Sequence, residues 1–518
     1  MSTWNRLLKG LAWRALFSRS KAVPREPPVL FSCALLPRGI GRRMARPAVM
    51  RRKRPGATLQ AQALKRSTVP LLRFLGATQT VTGSRFLIDT PEARVLVDCG
   101  LFQGLKALRE RNWATFPVDP ASIDAIVLSH AHLDHSGYVP ALTRNGFSGR
   151  LFATAGTVAL SRIVLPDSGH IQEEDAAYAN RKGFSKHLPA LPLYTEEDAV
   201  RAVQRFTPLP YDTAHEVATG VHVTFRPAGH ILGSASVAID LDMGSKRTLV
   251  FSGDLGRPQH PILRPPAPLA AADVVLVEST YGDRQHEDVE SLRRFEEAIV
   301  RTAERRGVVL IPSFAVDRTE VVLFHLRALT RAGRIPALPV YVDSPMALAT
   351  LEIYRRALTE GSPEVRRELQ DAGDPFDPGQ LIEARRVEES IAINEQPGPA
   401  IIISASGMAT GGRVLHHLMH RLPEPRNTVL LVGFQAEGTR GRSLLAGARA
   451  VKMLGRYIAV RAEVVDVPAF SVHADQRELI GWLKTAPHPP EMTFIVHGEK
   501  LASESLHEAI STEKTRVG

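Results

Sequence analysis

His130, His132, Asp134 and His135 fall within six consecutive positions, directly after the apolar run Ile123 to Leu128. Aspartate is almost never buried unpaired and histidine is intermediate, so such a cluster at a strand end needs a partner that offsets its desolvation. A divalent metal ion is the natural partner, because neutral imidazole suits zinc and a carboxylate adds charge. A solvated polar turn is the competing reading, and it does not account for so dense a set of ligand types. His130 and His132 are two apart, on one side of an extended segment, and so suit joint ligation of one ion. Asp134 and His135 follow where the chain turns into a predicted helix, within reach of a second ion. Two ions about 3.5–4 Å apart can clamp a phosphodiester, one activating water and the other stabilising charge.

Four ligands are too few for two ions, and further candidates lie downstream. His230 stands between glycines in Ala228-Gly229-His230-Ile231-Leu232-Gly233, after the strand-like Val221 to Phe225. Asp254 stands in Ser252-Gly253-Asp254-Leu255-Gly256, after Thr248 to Phe251. Ser471-Val472-His473-Ala474-Asp475 and Val496-His497-Gly498-Glu499 repeat the strand-then-histidine design. Each alone is compatible with a structural side chain. As an ordered set they point to one metal centre assembled from strand ends, where glycines let the backbone turn sharply.

The order His-x-His-x-Asp-His, Ala-Gly-His, Ser-Gly-Asp, Ser-x-His-x-Asp and His-Gly-Glu resembles the metallo-β-lactamase fold in its β-CASP branch of RNA-processing nucleases. The resemblance runs from about Leu71 to about Glu508. It includes Val97-Asp98-Cys99-Gly100, Glu278-Ser279-Thr280-Tyr281-Gly282, Pro312-Ser313-Phe314-Ala315-Val316-Asp317-Arg318-Thr319 and Ser406-Gly407-Met408. It implies that His130, His132 and His230 hold one zinc ion, that Asp134, His135 and His497 hold a second, and that Asp254 bridges them. A hydroxide between the ions would be the nucleophile, since zinc lowers the pKa of bound water toward neutrality. By the same resemblance His473 protonates the leaving oxygen, Glu278 orients it, and Asp98 supports the ligands from behind. Histidine at position 497, where DNA-repair members commonly have valine, favours RNA.

Composition is consistent with this. The 518 residues, 44% of them hydrophobic, suffice for about three domains and a large core. Two cysteines, Cys33 and Cys99, argue against a disulfide framework and fit a reducing compartment. No apolar run approaches the roughly 18–20 residues that span a bilayer. The net charge of +11 is unevenly placed: residues 1–66 hold 16 Lys or Arg against Glu26, so the remainder is slightly acidic. Phosphate attraction in the body must therefore come from a local groove and the ions, not from a global field. The basic leader is expected to be disordered. It is read as an RNA-binding arm, a transit peptide or translated sequence of little function; Trp4, Leu7, Leu8, Leu11 and Ala15 share a helical face, as in transit peptides. A cytoplasmic location is expected, or an organellar one if the leader is such a signal.

From Val69 onward, short apolar runs such as Leu71 to Phe74, Arg85 to Ile88, Val95 to Val97, Ala125 to Leu128 and Leu151 to Ala153 read as strands. The layout suits an α/β protein: an αββα metallo-β-lactamase sandwich over 67–284 and 464–512, interrupted by an α/β β-CASP cap over 285–463. Helices are predicted at Ser291 to Arg306 and Asp317 to Ala332, with strands at Val308 to Ile311 and Val340 to Val342. The segment Gly361 to Pro378 reads merely as a polar loop. A cap over the metals would admit only a single strand. Arg318 and Arg413, with the Gly-rich turn that carries Ser406 and Gly407, are candidate phosphate contacts; tight turns and surface ion pairs are the competing reading. The expected function is a zinc-dependent ribonuclease acting on single-stranded RNA, exo or endo, with a homodimer left open and no membrane partner. The alternatives are a small-molecule ester or thioester hydrolase, disfavoured by so large an insertion, and a catalytically silent RNA-binding subunit, disfavoured by the complete ligand set.

Overall fold

The computed structural model describes residues 31–34 and 66–516, apart from 184, 186, 371 and 372. The apolar runs form two facing sheets, because a strand with a row of Val, Ile, Leu or Phe must bury that row against another layer. The first sheet has seven strands in chain order: Phe31–Ala34, Leu71–Phe74, Phe86–Asp89, Arg94–Val97, Ala125–Val127, Arg150–Ala153 and Phe206–Pro208. The second has six, in the order Met492–Val496, Val274–Glu278, Lys246–Phe251, Ala235–Asp242, Val221–Pro227 and His215–Ala218. Val95, Val97 and Val127 of the first sheet meet Val223, Phe225, Ile239 and Leu276 of the second in the core between them. Ala155–Lys182 and Glu196–Val203 are among the helices outside the first sheet, and Gln476–Leu483 lies outside the second. This is the expected αββα sandwich. Among the described residues no helix is long and apolar enough to cross a membrane.

Part of the leader departs from the expectation of disorder. Phe31–Ala34 pairs antiparallel with Leu71–Phe74 and extends the first sheet by one strand. Its source is the apolar stretch Val29 to Leu36. The rest of the leader up to Lys65 lies outside the described residues.

A second α/β unit interrupts the sandwich. Its six strands are all parallel, in the order Leu381–Glu383, Val340–Val342, Ala400–Ser404, Val308–Pro312, Thr428–Leu431 and Glu463–Asp466. Parallel strands covered on both faces read as continuous apolar runs, as in Ile401-Ile402-Ile403. The neighbours Val308–Pro312 and Ala400–Ser404 send their connections in opposite directions, toward Val340–Val342 and Thr428–Leu431. Open α/β sheets bind ligands outside the carboxyl ends of the strands at such a reversal. Here those ends carry Ser313-Phe314 and Ala405-Ser406-Gly407. The last strand of this sheet, Glu463–Asp466, reaches beyond position 463 before the chain returns to the sandwich.

The predicted helices are present as Asp288–Glu304 and Arg318–Arg331. The segment 361–378 is irregular, as expected, yet it is more than a polar loop. Val365 is fully buried, and Glu364 accepts hydrogen bonds from the Gly233 amide at 2.5 Å and the Tyr211 hydroxyl at 2.9 Å. Beside it, the Tyr354 hydroxyl accepts from the Leu232 amide at 2.9 Å and donates to Asp317 at 2.6 Å. Asp317 also receives His260 Nε2 at 2.9 Å. Two side chains of the cap thus hold the backbone immediately after His230.

Burial pushes the Glu364 carboxyl up to about 7. The folded state then keeps a proton that the unfolded chain releases nearer the ordinary glutamate value, so this group's contribution to stability falls as pH rises toward about 7. Wild type should lose stability relative to Glu364→Gln across that window, by at most about 1.4 kcal/mol per pH unit. Glu364→Ala, which leaves the Gly233 amide without its acceptor, should be less stable than Glu364→Gln by roughly 1–3 kcal/mol. Urea midpoints of the three forms at about pH 5 and about pH 7.5 check both statements.

Candidate metal centre

Strand ends from both sheets converge on one edge of the sandwich. Ala125–Val127 leads through extended backbone at His132 into the short helix Leu133–Ser136, whose first turn carries Asp134 and His135. Val221–Pro227 ends at the loop of His230, Lys246–Phe251 at that of Asp254, and Met492–Val496 at His497. Parallel pairing sets Glu278 beside Val496 in register, which brings His497 next to Ser279. The loops of His230 and Asp254 touch backbone to backbone: a Cβ on Gly256 would lie 1.8 Å from the Gly229 carbonyl oxygen. His497 and Asp98 take φ of 49° and 57°, left-handed conformations that side chains disfavour and that cluster at functional sites.

Three ring nitrogens meet in the first group. His130 Nε2 lies 3.2 Å, and His230 Nε2 3.1 Å, from His132 Nδ1. The far nitrogens of two rings are engaged elsewhere, since His230 Nδ1 donates to the Val472 carbonyl at 3.3 Å and His130 Nδ1 faces the Ser129 hydroxyl at 3.1 Å. In the second group His135 Nε2 lies 3.1 Å from His497 Nε2, which is 3.5 Å from Asp134 Oδ2. His135 Nδ1 donates to Asp98 at 2.7 Å, and Asp98 also accepts from the Ser129 amide and hydroxyl. Asp254 stands between the groups. Its Oδ2 is 3.5 and 3.6 Å from His130 and His230, and its Oδ1 is 3.2 Å from His135.

With their Nδ1 atoms engaged, His130 and His230 turn Nε2 lone pairs toward His132 Nδ1, and a cation at that focus would be held by all three rings. The donor set fits a metal on a second count: Asp254 Oδ1 is buried without a hydrogen-bond partner. The sets His130, His132, His230, Asp254 and Asp134, His135, His497 each place ligand atoms close enough to share an ion. Burial holds the His130 and His230 imidazoles well below their ordinary pKa and lowers His132 to about 4, which keeps them in the neutral, ligating form. Burial opposes charge on His135 too, but the Asp254 and Asp98 carboxylates outweigh it and raise that imidazole well above its usual value. A cation bound there would displace its proton. Burial likewise opposes charge on Asp254, and His135, His497 and His130 overcome this to keep it ionised.

His473 lies beside this centre. Its Nδ1 is 3.4 Å from Glu278 Oε1 and 3.9 Å from Asp254 Oδ2, and its ring is 4.4 Å from that of His230. Glu278 is fully buried and fixed by the Leu255 and Thr280 amides. Burial would lower the His473 pKa, but Glu278 and then Asp254 hold it above the ordinary value. The other expected contacts are distributed. Ser406 bonds to Thr410 at 2.9 Å, and Gly407 backs onto Phe314, whose ring is 6.4 Å from that of His132. The Arg318 guanidinium is buried, donates to the Val432 carbonyl, and is lowered by burial to about 10. Arg413 points into the cap, donating to Asp343 at 2.7 Å and to the Ala384 and Arg385 carbonyls. Sequence reasoning missed Phe314 as a neighbour of His132; it also missed His286, whose Nε2 donates to the His473 carbonyl at 3.1 Å. His286 carried no signal beyond a lone histidine.

Two layered sheets with clustered ligands at one edge define a metal-dependent hydrolase of the metallo-β-lactamase superfamily. Family models match as a beta-lactamase superfamily domain over 93–325, a Beta-Casp domain over 319–444 and a Zn-dependent metallo-hydrolase RNA specificity domain over 457–517. The chain is similar to Ribonuclease TTHA0252 of Thermus thermophilus, with 40% identity over 82% of this chain and 92% of the relative. It is 31% identical to an RNase J-like protein of Methanocaldococcus jannaschii, over 84% of this chain and 94% of that one. It is 30% identical to the transcription termination factor FttA of the same organism, over 82% of this chain and 66% of that one. The chain belongs to the β-CASP family of metallo-β-lactamase-fold nucleases.

His132 Nδ1 is the atom common to both contacts in the first group. His132→Ala should therefore lower the divalent metal retained per chain, with the far-ultraviolet circular dichroism unchanged. Elemental analysis of dialysed protein reads the loss; an unaltered metal content would remove His132 from the ligand set.

Proposed function

We propose that the protein is a zinc-dependent ribonuclease that hydrolyses single-stranded RNA at a dinuclear site. His130, His132 and His230 would hold one ion, Asp134, His135 and His497 the other, and Asp254 both. The observation that carries this reading is the position of Asp254, one carboxylate oxygen toward each histidine group, with His473 alongside. When bound, the ions supply a hydroxide at neutral pH and offset the charge of the phosphate.

The chain's own residues do the rest. Asp98 fixes the ring of His135 and so the direction of its Nε2. Glu278 engages His473 Nδ1, which leaves Nε2 to hand a proton to the departing oxygen. The carboxyl strand ends of the cap reach the centre at Phe314, whose ring lies 6.4 Å from that of His132 and against which Gly407 packs, and would form one wall of a cleft for an unpaired strand. RNA as substrate is supported by the matched RNA specificity domain, the names of the relatives and the histidine at 497. Arg318, Ser406 and Gly407 are the proposed substrate contacts on the cap side; Arg413, turned toward Asp343, would act by shaping the cap behind them. A buried, unpaired Cys99 accords with a reducing, cytoplasmic setting.

The deciding experiment incubates zinc-loaded protein with end-labelled RNA and DNA and reads product lengths on a gel. RNA fragments are expected, with their ladder distinguishing trimming from internal cuts, whereas cleavage of neither polymer would refute the proposal. His473→Ala should keep both zinc ions and lose roughly 10²–10⁴-fold in rate, as for a general acid. Wild-type turnover in that variant would remove His473 from the role.

A further inference from the structure

The cap carries an unusual stretch of charge. Between Gly438 and Ala462 there are six basic residues and no acidic one. Several arginines elsewhere in the cap are paired with neighbouring carboxylates: Arg301 and Arg305 with Glu463, Arg355 with Asp374, Arg385 with Glu352. Arg449, Lys452, Arg456 and Arg461 are exposed, and among the described residues none has a carboxylate partner.

These residues sit on and beside a hairpin that stands apart from the three large sheets. Ala450–Met453 pairs antiparallel with Arg456–Ala459. Val451 and Met453 turn inward and join the cap core, which anchors the pair. Lys452 lies directly opposite Tyr457 on the outer face, its ammonium 5.9 Å from the ring centroid. Tyr457 is 75% exposed. An exposed aromatic ring bordered by unpaired cations is the arrangement on which unstacked bases and their phosphates bind together.

The hairpin is also tied to the cleft. The Arg440 guanidinium donates to the Lys452 carbonyl at 2.7 Å and to the Thr410 carbonyl at 3.0 Å. Thr410 belongs to the turn of Ser406 and Gly407, which backs onto Phe314 beside the metal centre. Arg440 thus links the hairpin backbone to the turn that backs onto Phe314.

We propose that the hairpin 450–459, through Arg449, Lys452, Arg456 and Tyr457, is an accessory binding surface for the single-stranded RNA that extends out of the cleft. This rests on the ribonuclease reading. Such a surface adds affinity only for substrates long enough to reach it, and phosphate contacts make that affinity salt-dependent.

The test uses the full zinc-loaded chain and two unstructured RNAs, about 6 and about 30 nucleotides long, bracketing the span of a typical single-strand site. In the triple variant Arg449→Glu/Lys452→Glu/Arg456→Glu, KM for the long RNA should rise about tenfold or more, with kcat and the short-RNA KM unchanged. The slope of log KM against log salt should fall by about 2, since each single-strand phosphate contact contributes about 0.7. Tyr457→Ala should raise the long-RNA KM severalfold, and Tyr457→Phe, which keeps the stacking face, should restore it. Equal long-RNA KM in wild type and the triple variant overturns the accessory surface alone. Wild type that cleaves neither RNA overturns the ribonuclease reading and this inference with it.

Discussion

Asp254 is the group on which the rest of this centre depends. Its carboxylate is buried, with five imidazoles within 4 Å of its two oxygens. An ionised carboxylate in such a place is stable only if surrounding charge repays its lost hydration. His135, His497 and His130 do this, and a cation held among the same groups would add to it. The fold serves that requirement. Four strand ends from two sheets must arrive at one edge, which fixes the register of Met492–Val496 against Val274–Glu278 and demands glycine where the loops of His230 and Asp254 touch.

The cap is coupled to this edge rather than merely placed above it. Tyr354 and Glu364 hold the amides of Leu232 and Gly233, and Tyr354 is itself held by Asp317, the residue just before the helix Arg318–Arg331. That helix carries Arg318, whose charge opposes protonation of His473. A displacement of the cap therefore reaches both His230 and the histidine beside Glu278. One set of hydrogen bonds thus joins the cap to the histidine cluster.

What the sequence disclosed follows from where its patterns are local. Ligands bunched in six residues, and strands with unbroken apolar runs such as Ala125–Val127, were readable directly; the grouping of His497 with Asp134 and His135, across more than 360 positions, came only from the family resemblance. The hold of Glu364 and Tyr354 on the Gly233 and Leu232 amides was not readable. Glu364 lies in an irregular segment, and a lone glutamate is ordinarily a solvated charge. Phe31–Ala34 was hidden by the basic residues around it, because composition over a long window masks a four-residue strand. Arg413 was legible as a cation but not as a partner of Asp343, which lies 70 positions away in another loop.

The distribution of charge gives the architecture its directional sense. Beyond the leader the body is slightly acidic, so long-range attraction cannot bring a polyanion to the cleft. Short-range cation density can, because screening leaves exposed charges effective only within about 10 Å. The cap neutralises some of its arginines in ion pairs, as in Arg301 with Glu463, and among the described residues leaves Lys452 and Arg456 without a carboxylate partner on the hairpin that Arg440 ties to the turn at Thr410. An RNA strand bound as proposed would therefore run between this hairpin and the histidine cluster past the turn at Gly407.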